Sequence, residues 1–234
     1  MGRAIIVIEG TDGSGKKTQT QLLLKNLEKD GYDVVSHSFP SYQSPSSGPV
    51  KLYLSGALGS EANSISPKQA SVLFAADRVA TYLNIENGFK KFLDEGKIVL
   101  LDRYVYSNMI HQACKLGSEK EVDSFLDWVC DLEFESLSLP KANLIFFLDM
   151  PTEKSLFLAQ SRGELKAGTK KDIHEQDEKH LERAYNTAKY VATKFGWTQI
   201  SCLNKFGQLK TIDEISNEIY NITKNFLENK KTEE

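Results

Sequence analysis

A buried strand that runs into a glycine-rich loop and then into a helix is the feature that most constrains this chain. Residues 4–8 form an apolar, mostly β-branched run, typical of a parallel strand buried on both faces. The loop Gly10-Thr11-Asp12-Gly13-Ser14-Gly15-Lys16 follows and matches GxxxxGK. Its glycines let consecutive backbone N–H groups surround a phosphate, and the helix N-terminus and Lys16 add positive charge. The pattern therefore predicts a phosphate-binding loop (P-loop) for a nucleotide.

Four further β-prone runs follow along the chain, and helical patterns separate most of them. They lie at 33–39, 97–101, 143–148 and 197–202. Strands alternating with helices predict an α/β fold, a doubly wound parallel five-stranded sheet with helices on both faces, because crossovers between parallel strands are right-handed. We expect residues 1–234 to form a single domain, with ligands bound beyond the carboxyl ends of the strands.

Helix boundaries are also marked in the sequence. Three helix starts carry a capping box, in which a Ser or Thr side chain and a Glu or Gln three residues later each accept a backbone N–H. The pairs are Ser66 with Gln69, Ser118 with Glu121, and Thr211 with Glu214. Asp30-Gly31 supplies a stop signal for the helix after the P-loop.

Composition and charge argue against several classes of partner. The formal charge of −3 gives no global basic field, so we expect neither nucleic acid nor a membrane surface as a partner. No apolar stretch approaches the ~20 residues of a membrane span. The three cysteines are far apart and lack the spacing of a zinc site or disulfide framework. We therefore expect a cytoplasmic protein with reduced cysteines that binds small molecules.

The residue after the P-loop lysine departs from the motif. A Ser or Thr that ligates Mg²⁺ normally stands there, whereas this chain has Lys17, with Thr18 one step further on. Either Thr18 shifts inward, or phosphates, water and a carboxylate elsewhere hold the metal. Lys17 could be a second functional cation or simply point to solvent.

Beyond the loop, the sequence resembles the thymidylate kinase family from residue 5 to about residue 185. Four motifs carry the resemblance: Gly10-Thr11-Asp12-Gly13, Phe39-Pro40, Phe74-Ala75-Ala76-Asp77-Arg78, and Asp102-Arg103-Tyr104 followed by Ser107. The resemblance implies the P-loop kinase fold and transfer of the γ-phosphoryl group of ATP to dTMP with Mg²⁺. We also expect a homodimer.

The motif from Phe74 to Arg78 predicts a binding surface for a base. The two residues are four apart and so share a face of the predicted helix. The resemblance implies that Phe74 stacks on thymine and that Arg78 reads its carbonyl edge. It also implies that Asp12 accepts a hydrogen bond from the 3′-hydroxyl of the acceptor.

The segment after Arg103 predicts contacts to the rest of the acceptor. Arg103 is a planar fork suited to the acceptor phosphate. His111 stands where the family often has an aromatic residue that excludes a 2′-hydroxyl, so it is the candidate sugar gate. Asn108 or Gln112 could hydrogen-bond the thymine edge, and the sequence does not choose between them.

Two acidic residues end apolar strands and compete for the metal. Asp102 follows residues 98–101, and Asp149 follows residues 144–148. A carboxylate at such a position can reach phosphate-bound Mg²⁺. The Arg-Tyr pair that follows Asp102 favours Asp102.

A basic segment, at about residues 160–172, resembles the family lid that closes on ATP. Members differ in whether a transition-state arginine comes from the P-loop or from the lid. Because Gly13 stands where the loop arginine would be, Arg162 is the expected source, and Glu175 resembles a family acid near the acceptor. Many relatives have an arginine after Phe-Pro, where this chain has Ser41 and Tyr42; Lys51 could substitute, or Arg103 and Arg78 could suffice.

Other functions remain open at this point. The chain could phosphorylate another nucleoside monophosphate or a deoxynucleoside. It could be a nucleotide-dependent switch, since Asn204-Lys205-Phe206-Gly207 partly matches the guanine-reading NKxD motif, although Gly207 replaces the discriminating carboxylate. A degenerate kinase without turnover is a third option, based on Lys17 and Tyr42.

Overall fold

The computed structural model describes residues 3–59, 64–163 and 178–233. Within them, five parallel strands form one sheet in the order β2-β3-β1-β4-β5. The strands are β1 Ala4–Glu9, β2 Val34–Ser38, β3 Ile98–Asp102, β4 Leu144–Asp149 and β5 Thr198–Ser201. The predicted parallel sheet is confirmed, and every strand end falls within one residue of the prediction.

Helices connect the strands and cover both faces of the sheet. The helices that the structure describes are α1 Lys16–Lys29, α2 Gly48–Leu54, α3 Pro67–Leu83, α4 Phe89–Asp94, α5 Val105–His111, α6 Glu119–Cys130, α7 Thr152–Gly163, α8 Glu178–Lys194 and α9 Ile212–Glu233. Short 3₁₀ turns lie at Pro45–Ser47 and Ala113–Lys115, and a π-helix follows α6 at Asp131–Ser136. None of the helices in the described ranges is long and apolar enough to cross a membrane.

The strand β1 explains why two hydrophobic cores form. All six of its residues are buried, and alternate side chains point to opposite faces. Ile5 and Val7 pack into the core beneath α5, α6 and α8, whereas Ile6 and Ile8 pack into the core beneath α1 and α9. A strand covered on both faces carries no polar side chain until its end, where Glu9 stands.

The predicted helix boundaries hold with one change. Gly31, with φ of +80°, follows the end of α1 as the stop signal predicts. The boxes at Ser66 and Thr211 make both reciprocal hydrogen bonds. At Ser118, the hydroxyl accepts the N–H of Glu121, but Glu121 Oε2 accepts the N–H of Gly117 instead of that of Ser118. This box therefore closes one residue earlier than predicted.

The segment 40–59, which has no regular pattern in the sequence, is held against α3 by Asp77. One carboxylate oxygen of Asp77 accepts the backbone N–H of Ser41 at 2.7 Å, and the other accepts the Ser46 hydroxyl at 2.5 Å. Asp77 is buried, so this pairing satisfies its charge locally. The chain after β2 is thereby held next to Phe74 and Arg78.

Candidate active site

The carboxyl ends of β1 and β3 bring two motifs together. Ile8 pairs with Asp102 in the sheet, so the P-loop after β1 lies beside Arg103 after β3. Two cavities open there and share Asp12 and Arg103. The larger has a volume of about 280 Å³ and the smaller, the P-loop cavity, about 210 Å³. The residues lining the larger cavity are Asp12, Ser38, Phe39, Pro40, Tyr42, Leu54, Phe74, Arg78, Arg103, Tyr104, Ser107, Asn108, His111 and Gln112.

The P-loop folds back so that its lysine contacts the loop backbone. Gly13 and Gly15 have φ of +78° and +92°, values that favour glycine. Lys16 Nζ donates to the Thr11 carbonyl at 2.6 Å, and burial lowers the pKa of Lys16 to about 8. The hydroxyls of Thr11 and Ser14 are buried without a hydrogen-bond partner among the described residues. These polar groups at a helix N-terminus fit an anionic ligand.

The P-loop cavity also contains the metal candidates. Lys17, which is exposed, and Thr18, which is half-buried, both line it together with Asp102. Asp102 is 8% exposed and accepts a hydrogen bond from the Ser38 hydroxyl at 3.4 Å. Asp149 lines neither cavity, and it accepts a hydrogen bond from the Tyr185 hydroxyl of α8 at 2.7 Å. A hard cation that takes oxygen ligands fits Asp102 best.

One end of the larger cavity is built around Arg78. Phe74 and Arg78 both line it, as their spacing on α3 predicts. Arg78 is 2% exposed and forms a bidentate pair with the fully buried Glu133, with both N···O distances at 2.5 Å. Glu133 lies in the π-helix, and no sequence motif pointed to it. Its carboxylate neutralises the Arg78 guanidinium, whose burial without a partner would carry a large desolvation cost.

Asn108 and Gln112, the two candidates for a hydrogen bond to the thymine edge, have different surroundings. Asn108 Nδ2 donates to the Ser71 carbonyl at 3.2 Å and to Glu133 Oε1 at 2.8 Å, which uses both of its N–H groups. Gln112 is 1% exposed, and its Oε1 has no hydrogen-bond partner among the described residues. A buried acceptor on a cavity wall is available to a ligand. The geometry therefore favours Gln112.

The other end of the larger cavity is built around Arg103. Its guanidinium pairs with Asp12 and also contacts the Gly10 carbonyl, the Ser107 hydroxyl and His111 Nε2, the last at 3.2 Å. Because arginine only donates, His111 Nε2 accepts and the proton of neutral His111 lies on Nδ1. Arg103 has φ of +66°, in the left-handed region.

Glu9, at the end of β1, belongs to none of the sequence motifs and was not predicted as a site residue. It is fully buried, accepts the backbone N–H of Tyr104 at 2.7 Å and accepts the Ser107 hydroxyl at 2.8 Å. Burial raises the pKa of Glu9, and the charges of Arg103 and Lys16 oppose that shift. A carboxylate on a buried strand needs such partners. The position of Glu9 at the end of a buried apolar run is therefore the sequence feature that could have identified it.

A second unpredicted cluster lies behind Phe74. The buried Tyr53 ring meets Phe74 edge-on with centroids 6.0 Å apart, and its hydroxyl accepts from Lys115 Nζ at 2.6 Å. Burial lowers the pKa of Lys115 to about 8. The cluster supports Phe74 from α2.

Other predicted residues either line neither cavity or fall outside the described part of the chain. Lys51, the alternative to the arginine absent at Ser41 and Tyr42, is exposed on α2 and lines neither cavity in the described part of the chain. Asn204 Oδ1 accepts the N–H groups of Phe206 and Gln208, so it forms a turn. The side chain of Arg162, the lid residues 164–172 and Glu175 lie outside the described residues.

Comparison with known proteins agrees with this geometry. The family model described as thymidylate kinase matches residues 8–207. A probable thymidylate kinase of Thermococcus kodakarensis is 33% identical over 159 residues, 67% of this chain and 71% of that protein. A thymidylate kinase of Mycobacterium tuberculosis is 31% identical over 194 residues, 82% of this chain and 87% of that protein. Because the family model covers most of its length, the chain belongs to the thymidylate kinase family.

Proposed function

We propose that this protein transfers the γ-phosphoryl group of ATP to dTMP and so produces dTDP and ADP. The observation that carries the proposal is the pair of cavities that meet at Asp12 and Arg103. One cavity adjoins a P-loop, and the other offers an aromatic ring and a buried arginine at one end and a second arginine at the other. The larger volume, about 280 Å³, is near the lower end of the usual range for small-molecule sites.

On the donor side, the P-loop would hold the phosphates of ATP. The backbone N–H groups and the buried hydroxyls of Thr11 and Ser14 would donate to phosphate oxygens, and Lys16 would add a charge. Asp102 would hold Mg²⁺, directly or through water, with Thr18 and Lys17 at the rim of the same cavity. When bound, the metal would supply positive charge that offsets the negative charge of the phosphates.

On the acceptor side, three residues would recognise the pyrimidine. Phe74 would stack on the ring. The Gln112 amide can accept from N3–H of thymine and donate to a neighbouring carbonyl. After its contacts with Glu133 and the Tyr104 carbonyl, Arg78 retains N–H groups that can donate to a carbonyl but would repel the amino group of cytosine. This combination favours thymine over cytosine.

The sugar and phosphate of the acceptor would lie towards Arg103. His111, beside the guanidinium, would restrict the space at the 2′ position, and Asp12 would accept from the 3′-hydroxyl, as in the family resemblance. Arg103 would bind the phosphate of dTMP, with Ser107 alongside it. Phe39 and Pro40 complete the wall of the cavity after β2.

Transfer itself needs alignment and positive charge more than covalent chemistry. The dTMP phosphate is ionised at neutral pH, so no general base is required. Gly13 has φ of +78°, and an added Cβ would approach the Ser155 carbonyl to 2.8 Å, so the loop leaves little room for an arginine there. We assign the missing cation to Arg162, seven residues after Ser155 on α7, and Glu175 to the acceptor side of the closed lid.

Turnover with a panel of nucleotides tests the proposal. We expect ATP and dTMP to give dTDP with a higher kcat/KM than dUMP, dCMP, dGMP or thymidine does. Preference for another acceptor would reassign the substrate, and GTP hydrolysis without an acceptor would indicate a switch. Binding of both nucleotides without turnover would indicate an inactive kinase.

We further propose a homodimer formed through α3. One face of this helix carries Val72, Ala76, Ala80 and Leu83, all exposed, at helical spacing. Val72 and Leu83 are 48% and 56% exposed, and a second copy would cover them. Sedimentation equilibrium should give a dimer for the wild type and a monomer for Val72→Glu; a monomeric wild type would contradict the proposal.

A cytoplasmic setting is the remaining part of the proposal. ATP, the phosphoryl donor, is available there, and Cys130 and Cys202 are free thiols, as expected in a reducing compartment. Cell fractionation with a specific antibody would test this, and recovery outside the cytoplasmic fraction would contradict it.

A further inference from the structure

We infer that Glu9 is a positioning residue that holds Arg103 in the conformation needed to bind the acceptor phosphate. The inference rests on the proposed function, in which Arg103 makes that contact. Glu9 lines neither cavity in the described part of the chain, so it would act through Arg103 and not on the substrate itself.

The backbone of Arg103 needs such a support. Its φ of +66° lies in the left-handed region, which disfavours residues with a side chain because Cβ comes close to the following carbonyl oxygen. Such a conformation persists only where the surrounding structure enforces it. At this position it directs the guanidinium between Asp12 of the P-loop and His111 of α5.

Two hydrogen bonds from β1 fix the peptide groups on either side of the Arg103 Cα. The N–H of Arg103 donates to the Ile8 carbonyl at 3.1 Å. The N–H of Tyr104 donates to Glu9 Oε1 at 2.7 Å. With both peptide planes held, the two dihedral angles between them have little freedom. The first bond is ordinary strand geometry, whereas the second exists only because the side chain of residue 9 carries an acceptor oxygen at the right length.

The second oxygen of the carboxylate extends this control to α5. Glu9 Oε2 accepts the Ser107 hydroxyl at 2.8 Å, and the same hydroxyl lies 3.4 Å from Arg103 Nη1. One buried side chain therefore fixes the backbone after Arg103 and a contact of its guanidinium. The charges of Arg103 and Lys16 lie close enough to Glu9 to favour the ionised form of its carboxylate.

Two substitutions separate the effect of side-chain length at residue 9 from the effect of its charge. Glu9→Asp keeps the charge but is one methylene too short to bind both groups. Glu9→Gln keeps the length, since its carbonyl can accept from Tyr104 and its amide can donate to the Ser107 hydroxyl. If position is what matters, Glu9→Asp should lower kcat/KM for dTMP by about 100-fold, the scale of a 1 Å misplacement. Glu9→Gln should stay within about tenfold of the wild type, about the effect of one altered hydrogen bond.

Controls distinguish positioning from a general structural role. The loss in Glu9→Asp should disappear in an Arg103→Ala background, because there is no longer a guanidinium to position. The ATP KM should change by less than about fivefold, and Asp149→Glu, a one-methylene change at the end of the neighbouring strand, should leave dTMP kinetics unchanged. Equal losses with and without Arg103, or a larger loss in Glu9→Gln than in Glu9→Asp, would overturn the inference.

Crystal structures of the wild type and Glu9→Asp provide a test that does not depend on catalysis. We expect Arg103 to keep its left-handed φ in the wild type and to leave that region in Glu9→Asp. An unchanged φ in the variant would overturn the inference. A wild type that does not phosphorylate dTMP would contradict the proposed function alone, because the crystallographic comparison needs no substrate.

Discussion

The larger cavity has an arginine at each end, and the two are held in different ways. Arg78 is 2% exposed and is bound by a single buried carboxylate, Glu133, in bidentate geometry. Arg103 is 19% exposed in its side chain and has several partners, including Asp12 and His111, on a backbone in the left-handed region. The first arrangement is rigid before any ligand arrives. The second can exchange protein partners for phosphate oxygens.

The difference between Arg78 and Arg103 suggests that the two arginines have different roles. A base is neutral and planar and is best recognised by a surface that does not move. A phosphate brings two negative charges and must be aligned with a second nucleotide, so its partners should be able to adjust during closure. Recognition would therefore depend on the Arg78 end, and chemistry on the Arg103 end together with Lys16 and the lid.

The largest expected effect separates the sources of the transition-state cation. Removing one well-placed arginine from phosphoryl transfer can cost about 10³-fold or more, so Arg162→Ala should lower the single-turnover rate by that order. The Kd of dTMP should change little, because the acceptor would bind at Phe74, Arg78 and Arg103. Lys17→Ser is the matched variant, since Lys17 lines the P-loop cavity. A large loss with Lys17→Ser and little change with Arg162→Ala would make Lys17 the catalytic cation.

Disrupting the Arg78–Glu133 pair should lower the stability of the protein as well as weaken dTMP binding. Glu133→Gln leaves the Arg78 charge buried without a full partner, which should cost about 3–5 kcal/mol of unfolding free energy. Calorimetry should show a melting temperature lower by roughly 6–20 °C. The double variant Arg78→Leu/Glu133→Leu should recover much of that stability while the KM for dTMP stays raised. If the double variant also restores the KM, Arg78 does not recognise the substrate.

Asp12→Asn is the corresponding test at the other end. Because the Asp12–Arg103 pair is partly exposed, its loss should change the unfolding free energy by about 1 kcal/mol or less. Turnover should nonetheless fall, since Asp12 lines both cavities. A destabilisation as large as that of Glu133→Gln would remove the contrast between the two arginines.

The same contrast explains what could be predicted from the sequence. The strands, the P-loop and the shared face of Phe74 and Arg78 are local patterns, and each spans fewer than about ten residues. Glu133 pairs with a residue 55 positions earlier, and Glu9 with residues 95 and 98 positions later. Periodicity carries no information on such pairings. A general rule that buried charges need partners predicts that they exist, but only the tertiary structure identifies them.

A smaller effect should distinguish the two amides at the base end. Gln112→Leu removes the buried acceptor that has no partner among the described residues, so the KM for dTMP should rise by about tenfold, the cost of one good hydrogen bond. Asn108→Leu should instead lower stability, because Asn108 donates to Glu133 and to the Ser71 carbonyl. Kinetics and melting curves of both variants check this. A raised KM for Asn108→Leu alone would reverse the assignment.

The smallest effect concerns the proton on Lys16. Burial lowers its pKa to about 8 in the protein without nucleotide, whereas bound phosphates favour the charged ammonium and should raise that pKa. Below pH 8 the lysine is already charged, so ATP binding needs no proton. Above pH 8 binding must take one up, and the affinity for ATP should fall by up to about tenfold per pH unit.

Calorimetry at pH 7.5 to 9.5 in buffers of different ionisation enthalpy would measure the uptake directly. Lys16→Arg is the control, because arginine stays charged throughout this range and should abolish the dependence. Constant ATP affinity from pH 7.5 to 9.5 in the wild type would show that the Lys16 pKa is not lowered in solution, and the same decline in Lys16→Arg would assign the proton to another group.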